Sequence, residues 1–163
     1  TAIRYAIAAE WSRAVAAVVF AMVFDMLDGR AARILGADSR FGAQLDSLAD
    51  LVSFGVAPAI IMYNWTLKDM QTLGWIAALV FCAASAVRLA RLNVQAARDE
   101  GATKGNPYFT GLPTPAAACM MLLPLLISFQ WDDSVMIRPW VSVVFIAVTS
   151  LLMVSRLPTP SIH

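Results

Sequence analysis

Four aspartates fall in two pairs within a 26-residue stretch of this chain of 163 residues. Asp25 and Asp28 are three residues apart, and Asp46 and Asp50 are four apart. On helices, both spacings put the partners on one face. Two such helices joined by a short loop would aim four carboxylates at one point. Uncompensated, that cluster is costly in any low-dielectric setting. Hard divalent cations relieve it, because they take oxygen ligands. Mg²⁺ in particular combines a few carboxylates with substrate phosphates. The plainer reading is a polar loop with helix-capping aspartates. It suits Asp38 and Ser39, but not four spaced carboxylates near a membrane.

The rest of the chain must hold those carboxylates at a membrane. It is 60% hydrophobic and 14% charged, with a mean hydropathy of +0.68. A soluble domain of this size carries about 25% charge. Residues 1–163 therefore read as one integral membrane domain. The net charge of +1 gives no electrostatic case for nucleic acid. Cys82 and Cys119 lie in apolar runs and read as small buried hydrophobes, not as a disulfide or metal site. His163 is terminal and carries no argument.

A membrane helix needs about 20 mostly apolar residues. On that basis the fold class is all-α, a bundle of five to six membrane helices, with the first expected to be truncated. The first strong span is Ala8–Leu27, and Gly29 is where its helix would loosen. A loop is expected from Gly29 to Arg40. The next helix runs from Phe41 to about Tyr63, with Gly55 and Pro58 marking an irregularity. Tyr63 and Trp65 suit the far interface. Lys68 and Asp69 mark a short loop. A helix from Met70 to Val87 continues through Arg88 and Arg91, and Asn93–Pro107 reads as a polar connection. Pro113 and Pro115 open a further helix, with a kink at Pro124 and an end at Trp131–Asp133. Pro139–Ser155 is the last span.

Basic residues set the orientation. Arg30, Arg33, Arg40, Arg88, Arg91, Arg98, Lys104 and Arg156 fall on the motif side, against Arg4, Arg13, Lys68 and Arg138 opposite. Eight against four puts the motif side in the cytoplasm.

The aspartates also sit in a longer pattern: Asp-x2-Asp-Gly-x2-Ala-Arg-x8-Gly-x3-Asp-x3-Asp, met at Asp25, Asp28, Gly29, Ala32, Arg33, Gly42, Asp46 and Asp50. This resembles the signature of the CDP-alcohol phosphotransferases, membrane enzymes that move a phosphatidyl or similar group from a CDP-linked donor to an alcohol. The resemblance implies two divalent cations, Mg²⁺ or Mn²⁺, held by Asp25, Asp28, Asp46 and Asp50. It makes Asp50 the base that takes the alcohol proton. It places Asp28, Gly29, Ala32, Arg33, Gly42 and Asp46 around the CDP group. Members usually have an earlier membrane helix, which is expected to be missing, shortened or outside this stretch, and they are typically homodimers.

Later segments bear on the acceptor. Arg88-Leu89-Ala90-Arg91-Leu92-Asn93 and Tyr108-Phe109-Thr110-Gly111-Leu112-Pro113-Thr114-Pro115 resemble the phosphatidylserine synthase branch of that family, as does the tail around Pro158 and Thr159. Leu92 departs from the phenylalanine usual there. The resemblance implies CDP-diacylglycerol as donor, L-serine as acceptor, and a bacterial inner membrane with the active site facing the cytoplasm. Arg88 and Arg91 share a helix face and suit a carboxylate, with Asn93 beside them. The plainer reading lets both arginines snorkel to lipid headgroups. Glycerol 3-phosphate or inositol phosphate as acceptor would keep the chemistry. A divalent-cation transporter would use the aspartates but leave the glycine and arginine spacing unexplained. A purely structural membrane subunit would leave the aspartates without purpose.

Overall fold

The computed structural model describes residues 1–35, 40–99, 109–110, 113–130, 138–155 and 158–159. Side chains are described over fewer of these, excluding those of 29–35, Arg40, Ala96, Arg98, Asp99 and the residues at 109–110 and 158–159. The expected caps at Asp38 and Ser39, the helix end at Trp131–Asp133, and the side chains of Arg30, Arg33, Arg40, Arg98, Lys104 and Arg156 lie outside the described residues.

A short helix α1 (Ala2–Ile7) comes first. The left-handed backbone of Ala9, φ 57°, turns the chain into α2 (Trp11–Leu35). α2 outlasts the expected span and corrects the loop, since Gly29 does not end it. Ala31, Ala32, Arg33 and Leu35 are strong helix formers, and their preference outweighs a single glycine costing about 1 kcal/mol. Of the expected Gly29–Arg40 loop, residues 29–35 are helical and α3 (Arg40–Asp50) has already begun at Arg40; residues 36–39 lie outside the described residues.

α3 runs without a break into a π turn, Leu51–Val56, and then α4 (Ala57–Trp65). The irregularity expected at Gly55 and Pro58 is this turn. Its hydrogen bond runs from the Ala57 amide back to the Val52 carbonyl, five residues away. Pro58 follows directly on the wide turn, which takes up the backbone hydrogen bond that a proline inside a continuous helix cannot make. The turn brings Gly55 against α5. A Cβ there would lie 3.1 Å from both Ser85 Cβ and Leu51 Cδ1. Cys82 Sγ donates to the Gly55 carbonyl at 3.7 Å.

A 3₁₀ turn, Leu67–Met70, follows where Lys68 and Asp69 predict a loop. It leads into α5 (Thr72–Asp99). Gly74 packs so tightly on this turn that a Cβ would lie 2.1 Å from the Leu67 carbonyl oxygen. Tyr63 and Trp75 meet edge to face at 5.4 Å. α5 also overruns its expected end: Asn93 is helical, so the polar connection starts no earlier than residue 100. α6 (Thr114–Ser128) opens after Pro113 and runs through Pro124 without ending. α7 (Pro139–Val154) closes the bundle. Two residues of β1 (Phe109–Thr110) pair antiparallel with two of β2 (Pro158–Thr159). This ladder joins the segment before α6 to the tail.

The packing is that of a membrane bundle. α7 turns Ser142, Ile146, Thr149, Ser150 and Met153 inward and leaves Trp140, Val144, Val148 and Leu151 outside. Small and hydroxyl residues inside let helices approach closely, while apolar side chains face lipid. Phe41–Trp65 and Thr72–Gln95 are each long and apolar enough to cross a bilayer. Cys119 proves exposed on α6 and Cys82 half-buried; the small-hydrophobe reading holds for Cys82, whereas Cys119 belongs to the outward face.

The two tight glycines carry a test. Gly74→Ala forces backbone apart, and Gly55→Ala needs a shift of a few tenths of an ångström. Thermal unfolding in detergent should show Gly74→Ala as the more damaging, with about 1–3 kcal/mol lost. Equal midpoints for the two variants would contradict this packing.

Candidate active site

The continuous α2 puts the first half of the motif on one stripe. Asp25, Asp28, Gly29, Ala32 and Arg33 occupy steps of three, four, seven and eight residues. Gly42, Asp46 and Asp50 form a second stripe on α3, at steps of four. Neither stripe needs loop residues, so both pairs of aspartates stand on rigid backbone.

The two stripes meet. Asp50 is within hydrogen-bonding reach of Asp25 and within electrostatic reach of Asp46. Asp46 in turn senses Asp25 and Asp28. The four expected carboxylates are thus neighbours, although among the described residues no three acidic, thiol or imidazole groups are already gathered as a closed metal cage. Two carboxylates in contact repel unless a proton or cation lies between them. Their donors are all hard oxygens, which fits a divalent cation of the Mg²⁺ or Mn²⁺ type. Asp28 and Asp46 are solvent-exposed, whereas Asp25 and Asp50 are half-buried. The pair best shielded from water is therefore also the pair within hydrogen-bonding reach.

Arg88 supplies the opposing charge. It lies within electrostatic reach of Asp50 and is 7% exposed. Among the described residues the only contact ion pair is Arg13–Glu10, at 2.7 Å. Arg88 and Asp50 are therefore farther apart than a contact ion pair. Arg88 Nη1 donates to Thr114 Oγ1, and its Nε is buried without a partner among the described residues.

The other two expected acceptor residues have protein partners. Arg91 Nη1 donates to the Val154 carbonyl at 2.8 Å, satisfying an orphan acceptor in the last turn of α7. Asn93 accepts from Ser47 Oγ at 3.0 Å and donates to Gln44 Oε1 at 3.3 Å. Its amide clamps α5 to the very helix that carries Asp46 and Asp50. Gln44 and Ser47 sit inside the motif at positions it leaves open. The reading of residue types gave them no role, because a cross-helix bond 46 residues apart leaves no local signal.

Three segments thereby converge at one end of the bundle: the α5 turn at Arg88–Asn93, the start of α6, and the tail. The Arg88–Thr114 bond, the Arg91–Val154 bond and the β1–β2 ladder join them. These are the segments that carry the acceptor-branch resemblance. An apolar cleft of about 690 Å³ is lined among others by Tyr5, Phe20, Phe24, Val52 and Ala57, with none of the four aspartates in its lining. Phe24 adjoins Asp25, and Val52 lies two residues past Asp50.

The sequence profile of the CDP-alcohol phosphatidyltransferases matches residues 1–155. This chain belongs to that family. CDP-alcohol phosphatidyltransferases generally use divalent metal ions. Family and apolar helices together make the chain a membrane protein. Among its relatives is a CDP-diacylglycerol–serine O-phosphatidyltransferase of Mycobacterium leprae, 38% identical over all of this chain and 54% of the relative. One of Helicobacter pylori is 34% identical over 88% of this chain and 59% of the relative. One of Methanocaldococcus jannaschii is 41% identical over 64% of this chain and 46% of the relative. The chain thus spans about half the length of the curated relatives it matches.

The clamp predicts a defect at a distance. Asn93→Ala removes two hydrogen bonds that hold α3, worth about 1 kcal/mol each. It should lower the thermal midpoint and raise the Mg²⁺ concentration needed for half-maximal activity. A metal requirement unchanged from wild type would show that α3 keeps its place without Asn93.

Proposed function

We propose that this chain transfers the phosphatidyl group of CDP-diacylglycerol to the hydroxyl of L-serine, giving phosphatidylserine and CMP. One observation carries the choice of acceptor: Arg88 is a buried cation within electrostatic reach of Asp50 that forms no contact ion pair with it. An amino-acid acceptor brings both a hydroxyl to be deprotonated and a carboxylate to be neutralised. Arg88 suits the carboxylate, since guanidinium N–H groups bond carboxylate oxygens strongly. Asp50 suits the hydroxyl. The names of the relatives support the same donor and acceptor.

The chemistry follows from the residues. The serine oxygen bonds to the phosphatidyl phosphorus as the bond from phosphorus to the CMP oxygen breaks. CMP leaves with that electron pair, and Asp50 takes the hydroxyl proton. An alcohol is a poor nucleophile at neutral pH, and a positioned base typically contributes about 10²–10⁴-fold. Asp25, Asp28, Asp46 and Asp50 would hold two divalent cations, Mg²⁺ or Mn²⁺. Bound there, these ions would neutralise the pyrophosphate charge. Asp28 and Asp46 flank the CDP group, together with Gly29, Ala32, Arg33 and Gly42. Gly29 and Gly42 would let the nucleotide approach backbone closely. The acyl chains lie along the apolar cleft beside Phe24 and Val52. Arg91 and Asn93 shape the acceptor end through Val154 and α3; neither needs to touch serine. The working form we propose is a homodimer in a bacterial inner membrane, with this end of the bundle facing the cytoplasm.

Glycerol 3-phosphate and inositol phosphate also need cationic help, so Arg88 alone does not exclude them. CMP release from CDP-diacylglycerol should require L-serine and a divalent cation, and should stop with excess chelator. Release driven instead by glycerol 3-phosphate, inositol or inositol phosphate would discard the serine assignment. Metal flux into liposomes without CDP-lipid would point to a transporter. Asp50→Asn should cut turnover by about 10² or more while keeping CDP-lipid binding better than Asp28→Asn does. Equal loss of binding in both would count against Asp50 as base.

A further inference from the structure

Arg88 is a long side chain in an interior site, and something must fix its head. Thr114 does so. It is 1% exposed, and its hydroxyl accepts the Arg88 Nη1 hydrogen bond. Thr114 is itself stiff. It is β-branched, which restricts χ1, and it stands between Pro113 and Pro115, whose rings fix the local φ angles. It opens α6, so its backbone is set by the helix start. The Gly-Leu-Pro-x-Pro stretch leaves this position open, and the resemblance therefore assigns Thr114 nothing.

Two features separate this bond from ordinary packing. The guanidinium it holds keeps one buried donor, Nε, without a partner among the described residues. A buried donor left unpaired costs free energy, and native structures rarely keep one without a use. The same guanidinium is within electrostatic reach of Asp50 without forming a contact pair. Its side-chain partner among the described residues is the Thr114 hydroxyl.

We propose that Thr114 is a positioning residue for the acceptor. Its hydroxyl fixes the position of the Arg88 guanidinium, whose charge Asp50 senses, so that the guanidinium meets the acceptor's carboxylate in one orientation. This rests on the amino-acid acceptor proposed above for the charge that Arg88 meets. Thr114 touches neither substrate nor the reacting atoms; it acts through Arg88.

The test uses the full chain in detergent, with CMP release measured while L-serine and CDP-diacylglycerol are varied separately. Wild-type protein comes first. If it responds to a different alcohol, the serine reading fails by itself, and the Thr114 comparison is then read on that alcohol's KM. Thr114→Val keeps the shape and removes the hydroxyl. It should raise the acceptor KM about tenfold and leave the donor KM within about twofold, as expected for losing a hydrogen bond to a charged group. Thr114→Ser restores the hydroxyl and should bring the acceptor KM back to within about threefold of wild type. Adding Thr114→Val to Arg88→Lys should do no further harm, because the two residues act as one unit. An unchanged acceptor KM in Thr114→Val overturns the proposal. So does an equal rise in both KM values, or a Thr114→Ser variant as impaired as Thr114→Val. If Thr114→Val does not fold, Thr114→Ala takes its place. Loss of the fold in both, with Thr114→Ser intact, would make the hydroxyl a structural bond and also overturn the proposal.

Discussion

Repulsion among the carboxylates is the constraint that the rest of this bundle answers. Asp25 and Asp50 come from different helices and lie within hydrogen-bonding reach, with Asp46 and Asp28 beside them. Such a group does not assemble by its own attraction. It has to be held from behind by packing that is stiffer than the repulsion is strong. The two stripes on α2 and α3 provide the stiffness, because neither stripe includes a loop residue. The π turn after Asp50 and the Asn93 clamp then fix α3 against α5. π turns commonly occur where a helix must present a functional group out of ordinary register. Here the wide turn follows Asp50 and places Gly55 against Ser85, so the carboxylate and the packing contact share one short segment.

The bundle achieves this without a conventional apolar core at every contact. Ser85, Ser142, Thr149 and Ser150 are buried, and Thr149 bonds back to the Ile146 carbonyl at 3.2 Å and to the Phe145 carbonyl. Lipid tails are as apolar as leucine, so burying leucine between membrane helices gains little over leaving it in the bilayer. Close approach and dispersion matter more. Glycine, alanine and serine allow that approach, and Gly55 and Gly74 mark where it is tightest. Stability and site geometry are therefore coupled: the contacts that hold the helices together also set where Asp50 stands.

Much of this was legible in the residues. The three- and four-residue spacings of the aspartates are helical periods, and the structure places them on two helical stripes. The span Pro139–Ser155 differs from α7 by one residue, because a proline start and an uninterrupted apolar run leave little choice. The loop expected from Gly29 and the connection expected from Asn93 both start too early, for a common reason. Polar residues at the end of a membrane helix look like loop, yet a helix that leaves the bilayer keeps its hydrogen bonds in water. Asn93 shows a second limit. Its type suggests a ligand contact, but its amide is engaged by Gln44 and Ser47. Thr114 shows the converse, a residue with no motif signal whose partner is set by tertiary packing. Local periodicity reports which face a residue occupies, not which side chain meets it from another helix.

The geometry also separates two tasks along the chain. Residues up to Asp50 supply the four carboxylates and the glycines of the motif, and they belong to two consecutive helices. The partners of Arg88 and Arg91 come from the start of α6 and the end of α7, much farther along. Asp50 is where the two groups meet, since it senses both Asp25 and Arg88. Such a division leaves the aspartates on their own helices while a substitution at the start of α6 reaches Arg88 through a single hydrogen bond. Under the proposed function, the alcohol could then change at one end of the bundle while the carboxylates and their chemistry stay.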